Sequence, residues 1–127
     1  MGKMVNDLVL DAALSYLKEN ATQLTVCKDT PTTYGNATTV DANMLAIHTL
    51  TTADMTVGNG ATGRMLTIIE QATITVDGSG AQTASHVCLI ASAANLLYVT
   101  TCTDQALTSG NTVTVPQWTI TIADPTA

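Results

Sequence analysis

The chain has 127 residues and a net charge of −6, with ten acidic and four basic side chains, no Phe, one Trp and three Tyr. This length predicts a single domain, residues 1–127, with a core built from aliphatic side chains. The basic residues are scattered, which argues against nucleic acid and against membranes as partners, because phosphate and anionic lipid both attract basic patches.

A helix is predicted from about residue 6 to residue 20, with Asn6 as its N-cap. Its apolar side chains recur every four residues in two adjacent rows, which form one stripe. The rows are Leu8, Ala12 and Tyr16, and Val9, Ala13 and Leu17. We expect the stripe to pack against a sheet, and docking in a groove of a partner is the alternative.

Threonine alternates with aliphatic residues through the β-domain, about residues 23–123, and this alternation predicts short strands. The predicted strands are 23–28, 46–51, 64–70, 72–76, 85–91, 96–101, 112–115 and 118–122. Residues 29–36 read as an ordered loop, 53–54 as a short turn and 106–111 as a turn, and Pro116 marks an edge or a bulge. The predicted fold class is mainly β, an antiparallel β-sandwich or flattened barrel of about seven to eight strands with one N-terminal amphipathic α-helix.

The segment GNGATG at residues 58–63 matches the glycine pattern of dinucleotide-binding loops. Such loops need a following helix whose N-terminus faces phosphate, and here a strand-like run, residues 65–69, follows instead. We therefore interpret this segment as a tight turn in which glycine supplies positive φ angles. No cofactor is expected.

Titratable side chains give no recognisable catalytic or metal motif. His86 and Cys88 share one face of a predicted strand, but the spacing typical of structural zinc ligands is missing. Ser85, His86 and any one of the aspartates have the side chains of a catalytic triad. The G-x-S-x-G signature of a nucleophile elbow is missing, however. The sequence therefore predicts that the protein is not an enzyme, with no catalytic, cofactor-binding or metal-binding residues.

Cys27, Cys88 and Cys102 are an odd number of cysteines, which we interpret as three buried thiols. One disulfide with one free thiol is the alternative. Asp7 and Asp11 interrupt the place where the apolar region of a signal peptide would run, so synthesis in a cytoplasm is expected.

Eight short segments occur in a characteristic order along the chain. They are NDLVLDAALSYL (6–17), VC with PTTY (26–27 and 31–34), AD with GNGATGR (53–54 and 58–64), TASHV (83–87), LLYVTTCT (96–103) and ITIADP (120–125). In this order they resemble a group of small virion-associated proteins of tailed bacteriophages, and the resemblance covers nearly the full length. It implies a structural protein made in the host bacterial cytoplasm and located in the virion. It implies no enzymatic residues.

The role that the resemblance implies is capsid decoration, or cement: binding to the outer surface of the major capsid shell, which the protein stabilises. The expected partners are the major capsid protein and further copies of the chain, for example in a trimer. A tail, neck or fibre component is the alternative, and a carbohydrate-binding β-module ranks below it. For the interface we select two irregular segments, one at the N-terminus and one between residues 29 and 43. The selected residues are Met1, Lys3, Met4, Val5, Thr30, Pro31, Tyr34 and Val40.

Overall fold

The threonine-rich sequence folds into antiparallel sheets with one N-terminal helix, as the computed structural model shows for residues 6–91 and 94–123. In chain order the elements are α1 (Asp7–Asn20), β1 (Gln23–Cys27), α2 (Tyr34–Thr38), β2 (Met44–Thr49), β3 (Met55–Asn59), β4 (Gly63–Ile68), β5 (Gln71–Thr75), β6 (Ala81–Ala91), β7 (Asn95–Thr108), β8 (Thr112–Val115) and β9 (Trp118–Ala123). The predicted fold class is confirmed, with nine strands in the described residues.

The strands form three sheets. The largest has the order β2-β1-β6-β7, the second β3-β4-β9, and the third pairs β5 with β8. All strand pairs are antiparallel. Within the described residues the sheets do not close into a barrel, so each sheet keeps two edges.

Aliphatic residues from all three sheets meet in one core. Its fully buried members include Leu24 of β1, Leu45 of β2, Leu66 of β4, Ile74 of β5 and Leu89 of β6. Burial of each such side chain stabilises the fold by about 1.5–3 kcal/mol. The core is therefore aliphatic, as the composition requires.

Helix α1 turns a different side to the core than the one predicted. Leu10 and Leu14 are buried, whereas Leu8, Val9 and Tyr16 of the predicted stripe are exposed. The expectation that the stripe packs against a sheet is therefore wrong for all of its residues except Leu17, which is half-buried against the core. The predicted N-cap is present: the Asn6 side chain accepts a hydrogen bond of 2.8 Å from the backbone N–H of Leu8.

Most strand boundaries differ from the predicted ones by one or more residues, and three differences are larger or change the element itself. The predicted loop at residues 29–36 leads into the short helix α2, which Thr33 caps by accepting from the backbone N–H of Asn36. Strand β3 was missed, and β7 continues to Thr108 where a turn was predicted from residue 106. The short turn at residues 53–54 is present as a 3-10 helix, Thr52–Asp54.

Candidate interaction surface

The most apolar exposed surface of the described residues lies on α1. Leu8 is 78% exposed, Val9 63% and Tyr16 54%, and these are three of the five large hydrophobic side chains that are exposed in the described part of the chain. Ala12 and Ala13 are exposed between them. These five residues are called the outer face of α1 below.

The orientation of α1 is fixed from its inner side. Leu14 belongs to the core, and Leu17 packs against it. Arg64 of β4 donates to both carboxylate oxygens of Asp11, from Nε to Oδ1 over 2.6 Å and from Nη2 to Oδ2 over 3.1 Å. The bond to Asp11 raises the pKa of Arg64. This two-point contact, together with the buried leucines, holds the other side of the helix toward solvent.

An apolar helix face of this kind is suited to binding. Exposed apolar groups gain about 25 cal/mol per Å² when a partner removes them from water, and contiguous patches of this type mark interaction sites. Ala12 and Ala13 let a partner approach the helix backbone closely. The outer face carries no acid, base or nucleophile except the phenol of Tyr16.

The structure separates the residues that the sequence selected for an interface. Met1, Lys3, Met4 and Val5 lie outside the described residues. Thr30 and Val40 are exposed, Tyr34 is half-buried at the start of α2, and Pro31 is buried. The residues of the outer face of α1 were assigned to the core, with docking on a partner as the alternative, and their exposure overturns the first of these two interpretations.

Residues 29 to 43 are held in place by hydrogen bonds to neighbouring parts of the fold. The Asp41 carboxylate accepts from the backbone N–H of Ser79 over 2.7 Å, from the Ser79 hydroxyl over 2.6 Å and from Gln82 Nε2 over 2.7 Å. These bonds lower the pKa of Asp41. Lys28 Nζ donates to the backbone oxygen of Asp41 over 2.7 Å. The segment is therefore bonded to Lys28, which directly follows β1, and to Gln82 of β6.

His86 sits in a chain of hydroxyl groups. Ser85 Oγ lies 2.6 Å from the Lys28 carbonyl oxygen, which can only accept, so the hydroxyl donates there. Ser85 then accepts from His86 Nδ1 at 2.7 Å, and His86 Nε2 lies at hydrogen-bond distance, 2.9 Å, from the Thr30 hydroxyl. No carboxylate of the described residues bonds His86, so the Ser–His–Asp triad drawn from the sequence does not assemble there. The network holds residues 28–30 against β6.

The three cysteines are free thiols. Cys27 and Cys88 are buried on adjacent strands with their Sγ atoms 3.8 Å apart, which is contact distance and well beyond the roughly 2.0 Å of a disulfide. The neighbouring Cys27 sulfur and burial raise the pKa of Cys88. Cys102 is half-buried on β7. In the described part of the chain, no three His, Cys, Asp or Glu side chains gather as a metal site.

The glycine-rich segment at residues 58–63 comprises the end of β3, the hairpin turn at residues 60–62 and the first residue of β4. Gly60 N–H donates to the Gly63 carbonyl over 2.8 Å, and strand β4 follows as predicted. The expectation of positive φ angles here is wrong: among the described glycines such angles occur at Gly80 and Gly110. No described helix has the length and apolar character that crossing a bilayer requires.

Neither a protein-family profile, nor a curated protein, nor a solved structure matches this chain.

Proposed function

We propose that this protein is a structural component of a tailed-bacteriophage virion, a decoration protein that binds the outer surface of the major capsid shell and stabilises it. The observation that carries the proposal is the outer face of α1, an apolar surface held toward solvent by the packing of the helix. The resemblance of the sequence to small phage virion proteins supplies the identity of the partner.

The surface chemistry supports a role in binding rather than in catalysis. Strand residues that face solvent are mostly threonines, for example Thr56, Thr73, Thr101 and Thr119. Such faces are uncharged and hydrogen-bond to water. A net charge of −6 also keeps the protein from binding nucleic acid. Attraction to a protein shell must then come from apolar contact, and α1 provides it.

A decoration protein acts mechanically. A subunit that touches two neighbouring capsomers adds contact area at their junction, and repetition over a lattice makes individually weak contacts persist. The outer face of α1 presents three large side chains, so one contact is small compared with a stable protein interface of about 800 Å² per partner. We infer that the protein contacts the shell through more than one surface.

The direct test mixes purified protein with undecorated, expanded capsids and counts bound copies per capsid. Saturable binding in a fixed ratio to the major capsid protein is expected. If no saturable binding appears, the protein is not a capsid decoration protein.

A second measurement addresses the location in the virion. Quantitative mass spectrometry of purified virions is expected to give a copy number comparable to that of the major capsid protein. A far smaller number would assign the protein to the tail, neck or fibre instead.

A further inference from the structure

A groove runs along the outer edge of β7, where the free edges of all three sheets meet. Within the described residues β7 pairs only with β6, β8 only with β5, and β9 only with β4. The groove lies between β7, from Thr100 to Thr108, and the chain from Asn111 to Thr119. It consists of three adjoining depressions of about 280, 280 and 250 Å³. We call it the edge groove.

The edge groove opens directly onto the core. Val26, Ala84, Val87 and Val115 line its central depression, and all four are buried. The lining contains no charged side chain along its length. A ligand in the groove therefore has to be apolar on the side that faces the core, because polar groups would lose their hydrogen bonds to water there.

Strand β7 bulges in the middle of the groove. Between the pairs Ala84–Gln105 and His86–Thr101, β6 advances by two residues and β7 by four. The bulge carries Asp104, an exposed carboxylate beside the otherwise uncharged groove. Burial raises the pKa of the adjacent Cys102 thiol, and Asp104 adds to that effect. A negative charge therefore stands next to the centre of the groove.

The groove wall also contains an unsatisfied donor. Trp118 lines the third depression, and its Nε1–H is buried without an acceptor among the described residues. Buried tryptophan N–H groups normally have a partner.

We propose that the edge groove binds an extended segment of another protein, which adds a strand to the free edge of β7. An extended backbone fits because a strand edge offers alternating N–H and C=O groups, which pair with another strand. The side chains of the bound segment that face the core are aliphatic, because they cover the buried valines of the central depression. The bound segment carries a positively charged side chain at the position that passes Asp104. The occupant is thus a Thr/Val-type segment with a central lysine or arginine.

The experiment uses the full chain and needs no capsid, so it stands independently of the proposed function. The probe is a capped hexapeptide that alternates threonine and valine, with lysine as its third residue. Trp118 is the only tryptophan of the chain and reports occupancy by its fluorescence. We expect a saturable blue shift of its emission, and about fivefold weaker binding of the peptide with glutamate in place of lysine.

A charge reversal provides the control. Asp104→Lys is expected to reverse the order of the two peptides, whereas Glu19→Lys, a charge reversal at an exposed position on α1, is expected to leave it unchanged. The proposal is overturned if the lysine peptide causes no saturable shift. It is equally overturned if Asp104→Lys leaves the order of the peptides as it was.

Discussion

The Asp41 carboxylate connects two distant segments of the chain by hydrogen bonds. It has a left-handed backbone conformation, with φ of 65°, and it accepts three hydrogen bonds from Ser79 and Gln82. Aspartate and asparagine tolerate this conformation better than most residues. The side chain thereby joins the segment before β2 to the turn before β6.

The stability contributed by Asp41 is expected to depend on pH. Because these bonds lower its pKa in the folded state from 3.8, the contribution is present above the unfolded pKa and is lost as pH falls through the folded pKa. Asp41→Asn keeps the shape and the backbone preference. We expect it to unfold at lower urea concentration than wild type near about pH 6, and the difference to shrink near about pH 2.

The matched control is Asp77→Asn, which changes an exposed carboxylate with no side-chain hydrogen bond in the structure. We expect no effect from it near about pH 6. A constant difference between Asp41→Asn and wild type at all pH values would show that the bonds do not depend on the ionised carboxylate.

The cysteines are expected to react in a fixed order with a thiol-alkylating reagent. Cys102 is half-buried and should be labelled in the native protein, slowly because burial raises the pKa of its thiol. Cys27 and Cys88 are fully buried and should be labelled only in denaturant. Peptide mass spectrometry measures this order, and native labelling of Cys27 or Cys88 at the rate of Cys102 would contradict the packing of β1 on β6.

Among the elements, α1 is the one for which the sequence pattern does not identify the side that faces the core. Leucine, valine and alanine occur on most sides of this helix, so several four-residue rows look equally able to face a core. The deciding contact is between Asp11 and Arg64, which are 53 positions apart in the sequence. Local spacing cannot identify a partner at that distance in the sequence, so the side of α1 that faces the core could not be predicted.

Truncation of two leucines of α1 is expected to change the free energy of unfolding by very different amounts. Leu14→Ala removes a buried side chain and should lower the free energy of unfolding by about 2–5 kcal/mol. Leu8→Ala alters an exposed side chain and should change it by no more than about 0.5 kcal/mol. Urea unfolding measures both. A large loss from Leu8→Ala would mean that the outer face of α1 is packed in solution.

Strands were predicted well where the alternation is regular. β8 has the predicted bounds, and the predicted 118–122 lies within β9. The full length of β7 was not predicted, because its bulge breaks the alternation near Cys102 and mimics the end of a strand. β3 was missed because Gly58 and Asn59 disfavour a strand in isolation, whereas pairing with β4 outweighs that preference.

At the scale of the whole molecule, composition and alternation were enough to predict a mainly β fold with an aliphatic core. They were not enough to predict which surfaces stay uncovered, since that depends on how three sheets and a helix pack together. The outer face of α1 and the edge groove both arise from this packing. Neither contains a residue that was selected as an interface from the sequence.

The central claim is that the outer face of α1 binds the capsid shell. The most direct measurement is a competition in which equal amounts of wild type and Leu8→Ser bind a limiting number of undecorated, expanded capsids, and mass spectrometry counts each on the shell. Because burial of a leucine is worth about 1.5–3 kcal/mol, wild type is expected to exceed Leu8→Ser by about tenfold or more. Ile69→Ser changes an exposed apolar residue that is not part of the helix, between β4 and β5, and is expected to compete equally with wild type. Equal occupancy by wild type and Leu8→Ser would contradict the claim.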